Sequence, residues 1–202
     1  MTTKVMAMNE RFRGYLPVVI DIETAGFDPQ YDALLEIGAV ILELDENGII
    51  KPAHTLHEHV IPFPGANLDP AALEFTGIDP DHPFRFAKTE RKVLTTLFDE
   101  VFHALKKQQC QRAVLVGHNP AFDISFLNAA IARCSIKNNP FHKFTTFDTA
   151  TLSALAFGQT VLAKSVAAAG IAFDPEEAHS ALYDAEKTAA LFCNIINNMS
   201  YK

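Results

Sequence analysis

The chain has 202 residues, 49% of them hydrophobic and 20% charged, with a formal net charge of −7. That is the make-up of a single globular domain large enough to bury a sizeable core, and no run of about 18 apolar residues is present to span a membrane. The acidic balance argues against a nucleic-acid binder held by bulk charge alone. The N-terminal stretch "MTTKVMAMNERFRG" lacks the apolar segment of a signal peptide. Cys110, Cys134 and Cys193 are odd in number and far apart, which reads as reduced thiols in a cytoplasmic protein and not as a disulfide framework.

In chain order, residues 17–23 predict a first strand. "ALLEIGAVILEL" (33–44) predicts a second, "DENG" (45–48) a turn, and 49–60 a third strand, together an antiparallel meander. Asp69 followed by Pro70 is an N-cap with proline at the first helical position, opening a short helix across "AALEF". Between 90 and 108, Leu94, Leu97, Phe98, Val101, Phe102 and Leu105 form a stripe of helical period. "AVLVGHN" (113–119) predicts a strand running into a helix at 121–133. "FTTFD" (144–148) predicts a last strand, with helices to Gly170 and a final helix over about 180–197. Three antiparallel strands followed by strand–helix alternation predict a mixed α/β sheet with helices on both faces.

Acids interrupt this pattern at four places. In "VVIDIETAGF" (18–27), Asp21 and Glu23 are two apart and so share one face of a strand whose other residues are β-branched. Asp123 falls in the first turn of a helix directly after a strand, and Asp184 sits among Ala181, Leu182, Ala185, Ala189 and Phe192, with His179 at the start of that helix. Taken singly, each acid reads as a solvated face, a helix-terminal charge or, for Asp184, a partner of Lys187. Taken together, like charges in a partly buried site repel unless cations neutralise them. Oxygen ligands suit Mg²⁺ and Mn²⁺, and two such ions about 4 Å apart clamp the oxygens of a phosphoryl displacement.

"DIET", "HNPAFD" and "HSALYDA" resemble the three motifs of the DEDD superfamily of 3′-to-5′ exonucleases, in the branch with a histidine five residues before the last aspartate. Over nearly the whole chain the sequence is similar to the bacterial ribonuclease T family of that branch, through "RFRGYLPVVIDIETAGF", "GANLDPAALEFTGIDP", "NPFHKFTTFDTATLSALAFGQTVLAKS" and "AHSALYDAEKTAALF". It departs from the familiar motif in carrying Pro120 and Ala121. The resemblance implies a ribonuclease H-like fold, a mixed five-stranded sheet flanked by helices, in one exonuclease domain over residues 1–202 with a partly basic N-terminal extension at 1–16. It makes Asp21, Glu23, Asp123 and Asp184 the ligands of two Mg²⁺ ions per site, with Mn²⁺ as the alternative, and His179 the base for the attacking water. A neutral imidazole is suited to that task at cellular pH.

The resemblance further implies release of nucleoside 5′-monophosphates from single-stranded 3′ ends, in tRNA and ribosomal RNA precursors and in single-stranded DNA. A DNA proofreading subunit shares the motifs, and an inactive nucleic-acid-binding module would lack one of the five residues, all of which are present here. Of the 16 phenylalanines, Phe98 and Phe102 fit the core. Phe27, Phe75, Phe122 and Phe144 lie in loops or at element ends near the motifs, where the family has rings that stack on bases at about 1–3 kcal/mol each. Arg11, Arg13, Arg112 and Lys137, with Lys106, Lys107 and Lys143, are candidates for a basic patch. In the family, a homodimer, such a patch on one subunit guides RNA to the other's metals. Two bound ions would also bring the formal charge from −7 to about −3. His57 and His59 share a strand face, but no acid or cysteine stands at ligand spacing in the sequence, so a zinc site is not expected there.

Overall fold

A computed structural model of the protein describes residues 6–199; the ends of the expected 1–202 domain, residues 1–5 and 200–202, lie outside the described residues. Two short 3₁₀ turns, Met8–Glu10 and Phe12–Gly14, precede the first strand. Met8 is buried in the core and Phe12 packs edge-on against Phe147, so this part of the extension is folded onto the domain.

The strands are β1 (Tyr15–Thr24), β2 (Leu34–Leu44), β3 (Ile50–Ile61), β4 (Lys88–Thr89), β5 (Arg112–Gly117) and β6 (Phe141–Asp148). They form one sheet in the order β4-β3-β2-β1-β5-β6. β1, β2 and β3 pair antiparallel, as the turn at 45–48 predicts, and β5 and β6 add in parallel to β1. The sheet therefore has six strands, not the five expected. The extra one, β4, is two residues paired in parallel with Val60 and Ile61, too short to carry a period-2 pattern.

The helices are α1 (Pro70–Thr76), α2 (Glu90–Lys107), α3 (Ala121–Arg133), α4 (Thr149–Phe157), α5 (Leu162–Ala168) and α6 (Ala181–Asn198). Asp69 caps α1 by accepting the Ala71 N–H at 2.9 Å, and Gly77 closes it in the left-handed conformation. α2 buries Leu94, Leu97, Phe98, Val101 and Leu105, while Phe102 is only partly buried at the edge of the stripe. α2 and α3 cover one face of the sheet; α6 crosses β1, β2 and β3 on the other, with α4 and α5 packed on it. One contiguous core joins both layers, and the three cysteines are free thiols.

How α6 approaches the sheet decides the site. Gly38 of β2 stands opposite Asp21 of β1, and a Cβ there would fall 2.1 Å from the Ala181 carbonyl oxygen. A glycine inside a strand marks a close backbone approach. Here it lets the first turn of α6 lie directly on β2, beside the two acids of β1.

Candidate active site

Three elements deliver the four acids. Asp21 and Glu23 point from β1 towards α6. Asp123 is in the first turn of α3, in the tight strand-to-helix turn after Gly117, where a Cβ would meet Pro120 at 3.0 Å and the Asp123 carboxylate at 3.3 Å. Asp184 is in the first turn of α6. They line one cavity of about 330 Å³ with His118, Phe27 and Phe122. His179 stands just ahead of the start of α6, two residues before Ala181, in the left-handed conformation at φ 67°. Its N–H donates to Asp184 Oδ2 at 3.2 Å, and the ligand atoms of Glu23, His179 and Asp184 lie within 4.8 Å of one another. Lys187 does not pair with Asp184; its ammonium sits over the Tyr183 ring.

The electrostatics are those of a site short of positive charge. Burial pushes the Asp21 carboxyl well above the usual range, and Asp123, Asp184, Glu23 and Glu36 push it the same way. Glu23 is raised to about 8 by burial, then by Glu36, Asp184 and Asp123. Burial raises Asp123 to about 7 against the backbone N–H groups that hold its charged form. Asp184 is raised by burial and held back by the His179 amide. Asp184 Oδ1 is buried with no hydrogen-bond partner. An orphaned carboxylate oxygen facing three further acids is the donor set of a hard divalent cation, so the residues fit the metal that the fold implies.

An apolar cavity of about 280 Å³ adjoins the acidic one, sharing Ile22, Glu23, Phe27 and Phe122 with it and adding Phe75. Phe27 and Phe75 are 85% and 67% exposed, which no packing role explains. Phe27 meets Phe122 edge-on at 6.2 Å between centroids, and Phe75 tilts against the His179 ring at 4.4 Å. Phe144 stands apart from these three. It is exposed on the edge strand β6 against the His142 ring and lines neither cavity.

The basic residues gather at the other end of the sheet. Arg112 is paired with Tyr15 at the start of β5 and β1, and Arg13 holds its guanidinium 5.6 Å from the Tyr15 ring centroid. Arg11 is half-buried and donates to the Gly48 carbonyl at 3.0 Å, and Lys137 is exposed in the loop before β6. Asp21 is six residues along β1 from Tyr15, about 20 Å at about 3.3 Å per residue. Lys107 instead pairs with Glu43 at 2.9 Å.

Two features went unread in the sequence. Gly38 and Gly117 set the approach of α6 and α3, and their signal was glycine within an apolar strand. Glu36 is the other: it joins His57 and His59, contrary to the expectation that no acid does. His57 Nε2 is 2.7 Å and His59 Nδ1 3.8 Å from its carboxylate. The acid comes from the neighbouring strand, so spacing along one strand could not disclose it. His118, which the sequence left without direct chemistry, lines the acidic cavity and places its ring nitrogens 3.0 Å from Thr149 Oγ1 and 2.7 Å from the Thr160 carbonyl oxygen.

Residues 18–192 match the RNase_T family model, described as an exonuclease. Ribonuclease T of Vibrio vulnificus strain YJ016 is 59% identical over 193 residues, 95% of this chain and 89% of that protein. The nuclease domain of 3′hExo, a DEDDh family member, bound to rAMP, superposes with a TM-score of 0.70 at 21% identity, over 91% of this chain and 92% of that one. The zinc-bound form of the Escherichia coli exonuclease I complex with single-stranded DNA superposes with a TM-score of 0.69 at 19% identity. That match covers 92% of this chain but 41% of the other, so this chain spans less than half the length of exonuclease I. At such identities the structural likeness speaks to the fold.

Proposed function

The chain belongs to the RNase_T family of exonucleases, and from that premise we propose that it is a 3′-to-5′ exoribonuclease that removes nucleoside 5′-monophosphates from single-stranded 3′ ends. The observation that carries this reading is the junction of two cavities: one holds Asp21, Glu23, Asp123 and Asp184, and the other is lined by Phe27, Phe75 and Phe122. A terminal base lodged among the rings puts its phosphate over the acids. Stacking on phenylalanine faces is indifferent to sequence, which suits an enzyme that shortens a strand base by base. tRNA and ribosomal RNA precursors are the proposed physiological substrates, with single-stranded DNA as a second one.

Asp21, Glu23, Asp123 and Asp184 hold two Mg²⁺ ions in this reading. When bound, such ions neutralise charge on the scissile phosphate and the leaving oxygen and lower the pKa of the attacking water. His179 accepts the proton of that water in this reading, which its contacts with both Asp184 and Phe75 support. His118, held through Thr149 and the Thr160 carbonyl, lines the acidic cavity.

We further propose that the active form is a cytoplasmic homodimer. No helix among the described residues is long and apolar enough to cross a membrane. Arg13, Arg112 and Lys137 lie at the end of the sheet away from their own acids, and a two-fold dimer can carry that patch to the partner's site. The first test uses 5′-labelled single-stranded RNA and its DNA counterpart with Mg²⁺ or with chelator. Stepwise shortening that requires the ion is expected, and no shortening of either strand would overturn the assignment as an enzyme. The second test mixes Arg13→Ala/Arg112→Ala chains with Asp184→Ala chains after dissociation. One of the two sites in each heterodimer is then complete, so activity should recover towards half of wild type; activity no greater than that of the parents, with heterodimers present, would exclude service in trans.

A further inference from the structure

Next to the four acids, with Glu36 of β2 opposite Glu23 of β1, a second group of ligand-type side chains stands on the same sheet face, and the proposed reaction does not use it. Glu36 of β2 is directly opposite His59 of β3, and His57 is two residues further along the same strand face. The ligand atoms of all three lie within 4.8 Å of one another. Glu36 is buried, at 5% exposure, while the side chains of His57 and His59 remain about a third open, at 32% and 31%. The two rings meet edge-on at 4.8 Å between centroids.

We propose that Glu36, His57 and His59 form a binding site for a Zn²⁺-class transition-metal ion, separate from the carboxylate site on β1. Two imidazoles and one carboxylate are a ligand set for such ions and a poor one for Mg²⁺. The alternating side chains of a strand hold His57 and His59 on one face without any loop to order. The independent observation is His59 Nδ1, which is buried, makes no hydrogen bond and faces Glu36 Oε2 at 3.8 Å. A buried ring nitrogen without a partner is unfavourable, and a cation between it and the facing carboxylate oxygen would satisfy both.

The carboxylate has an oxygen for each task. Oε1 accepts the Ala181 N–H at 3.2 Å, which ties Glu36 to the start of α6. Oε1 also lies 2.7 Å from His57 Nε2. Oε2 faces His59 Nδ1 at 3.8 Å and is the oxygen open to an ion, whose binding to both rings would displace the proton that His57 Nε2 shares with Oε1. A cavity of about 250 Å³ lined by His59, Asp79, His82 and Arg85 opens onto the His59 ring, so water can complete the coordination. Arg85 is the nearby opposing charge. Its guanidinium is engaged by the carbonyls of Leu35 and Pro80, at 2.7 and 3.2 Å. Glu58, which also acts on both rings, is taken up by Lys88.

The test uses the full chain carrying Asp21→Asn and Asp184→Asn, which disable the carboxylate site, stripped with chelator and titrated with Zn²⁺ by calorimetry and with Co²⁺ by visible absorption. One equivalent of Zn²⁺ should bind and persist in a large excess of Mg²⁺. Co²⁺ should give ligand-field bands without the near-ultraviolet thiolate band that Cys110 would produce. Adding His57→Ala or His59→Ala should weaken Zn²⁺ binding at least as much as the about 10–100-fold that loss of an outer-shell partner already costs. Melting temperatures in chelator show that the variants remain folded; where an alanine variant does not, His57→Gln or His59→Gln replaces it with the same expectation. No binding in the doubly disabled chain, a thiolate band, or folded histidine variants that bind Zn²⁺ undiminished would each overturn the proposal.

Discussion

Replacing Gly38 by alanine should damage the active site through a methyl group that touches none of its side chains. The new Cβ would lie 2.1 Å from the Ala181 carbonyl oxygen, 2.4 Å from its carbon and 2.6 Å from the Leu182 nitrogen. Ordinary non-bonded contacts of carbon are about 3.5–4.0 Å, so the start of α6 must retreat by more than about 1 Å. All three atoms are backbone, and no rotamer change relieves the clash. Overpacking of this kind costs about 1–3 kcal/mol. Set against it is a gain of about 0.4–1 kcal/mol from a stiffer unfolded chain, so the clash wins and the melting temperature falls. Asp184 is in the turn that moves and His179 lies just before it, and a displacement of about 1 Å costs about 10²-fold in rate. Single-turnover shortening of 5′-labelled RNA, at several Mg²⁺ concentrations, measures the loss and separates weaker ion binding from slower chemistry. Gly117→Ala is the graded comparison, since its three closest contacts would be 3.0, 3.2 and 3.3 Å, and it should cost less stability. A Gly38→Ala protein as stable and as fast as wild type would refute the claim that close helix approach builds the site.

Asp21→Asn or Asp184→Asn should lower turnover by several orders of magnitude, with the protein folded by circular dichroism, because both water activation and leaving-group stabilisation depend on bound ions; near-wild-type turnover would sink the ligand assignment. Phe27→Ala or Phe75→Ala should weaken binding of a single-stranded 3′ end by about 1–3 kcal/mol, yet lower thermal stability less than Phe98→Ala, for which about 3–5 kcal/mol is typical of a buried ring. Reversed stability losses would make the exposed rings structural. The raised carboxyls also set a pH dependence. Glu23 titrates near its ordinary 4.5 when unfolded and about 8 when folded, so the folded state favours the protonated acid. Without metal, stability should therefore fall as pH rises from about 4.5 to about 8. Mg²⁺ removes that penalty, so the gap in melting temperature between Mg²⁺ and chelator should be wider at pH 8 than at pH 5.5, and a gap independent of pH would contradict the electrostatic account.

Much of the fold was legible because its signals are local. The DENG turn, the Asp69–Pro70 cap and the α2 stripe each fix an element from a few neighbouring residues, and these elements stand where they were expected. β4 escaped because two residues have no period, and the left-handed turn at His179 before α6 escaped because it has no glycine to announce it. The four acids were found for a different reason: singly each reads as a surface or helix-terminal charge, but carboxylates among apolar neighbours cost free energy, and their order, spacing and element type agree as a set.

What the sequence by itself determined, then, is which residues are chemically out of place and which short segments hold them. Their assembly was decided by the tertiary structure. Strand register puts Glu36 against His59, and the absence of a Cβ at Gly38 brings Asp184 of a helix beside Asp21 of a strand 163 residues earlier. The sheet's length separates Arg13 and Arg112 from the acids of their own chain. Register, close approach and separation are relations between elements, and they arise only when non-local contacts outweigh the chain entropy lost in making them. Beyond the glycines inside β2 and β5, composition and spacing along the chain carry no record of them.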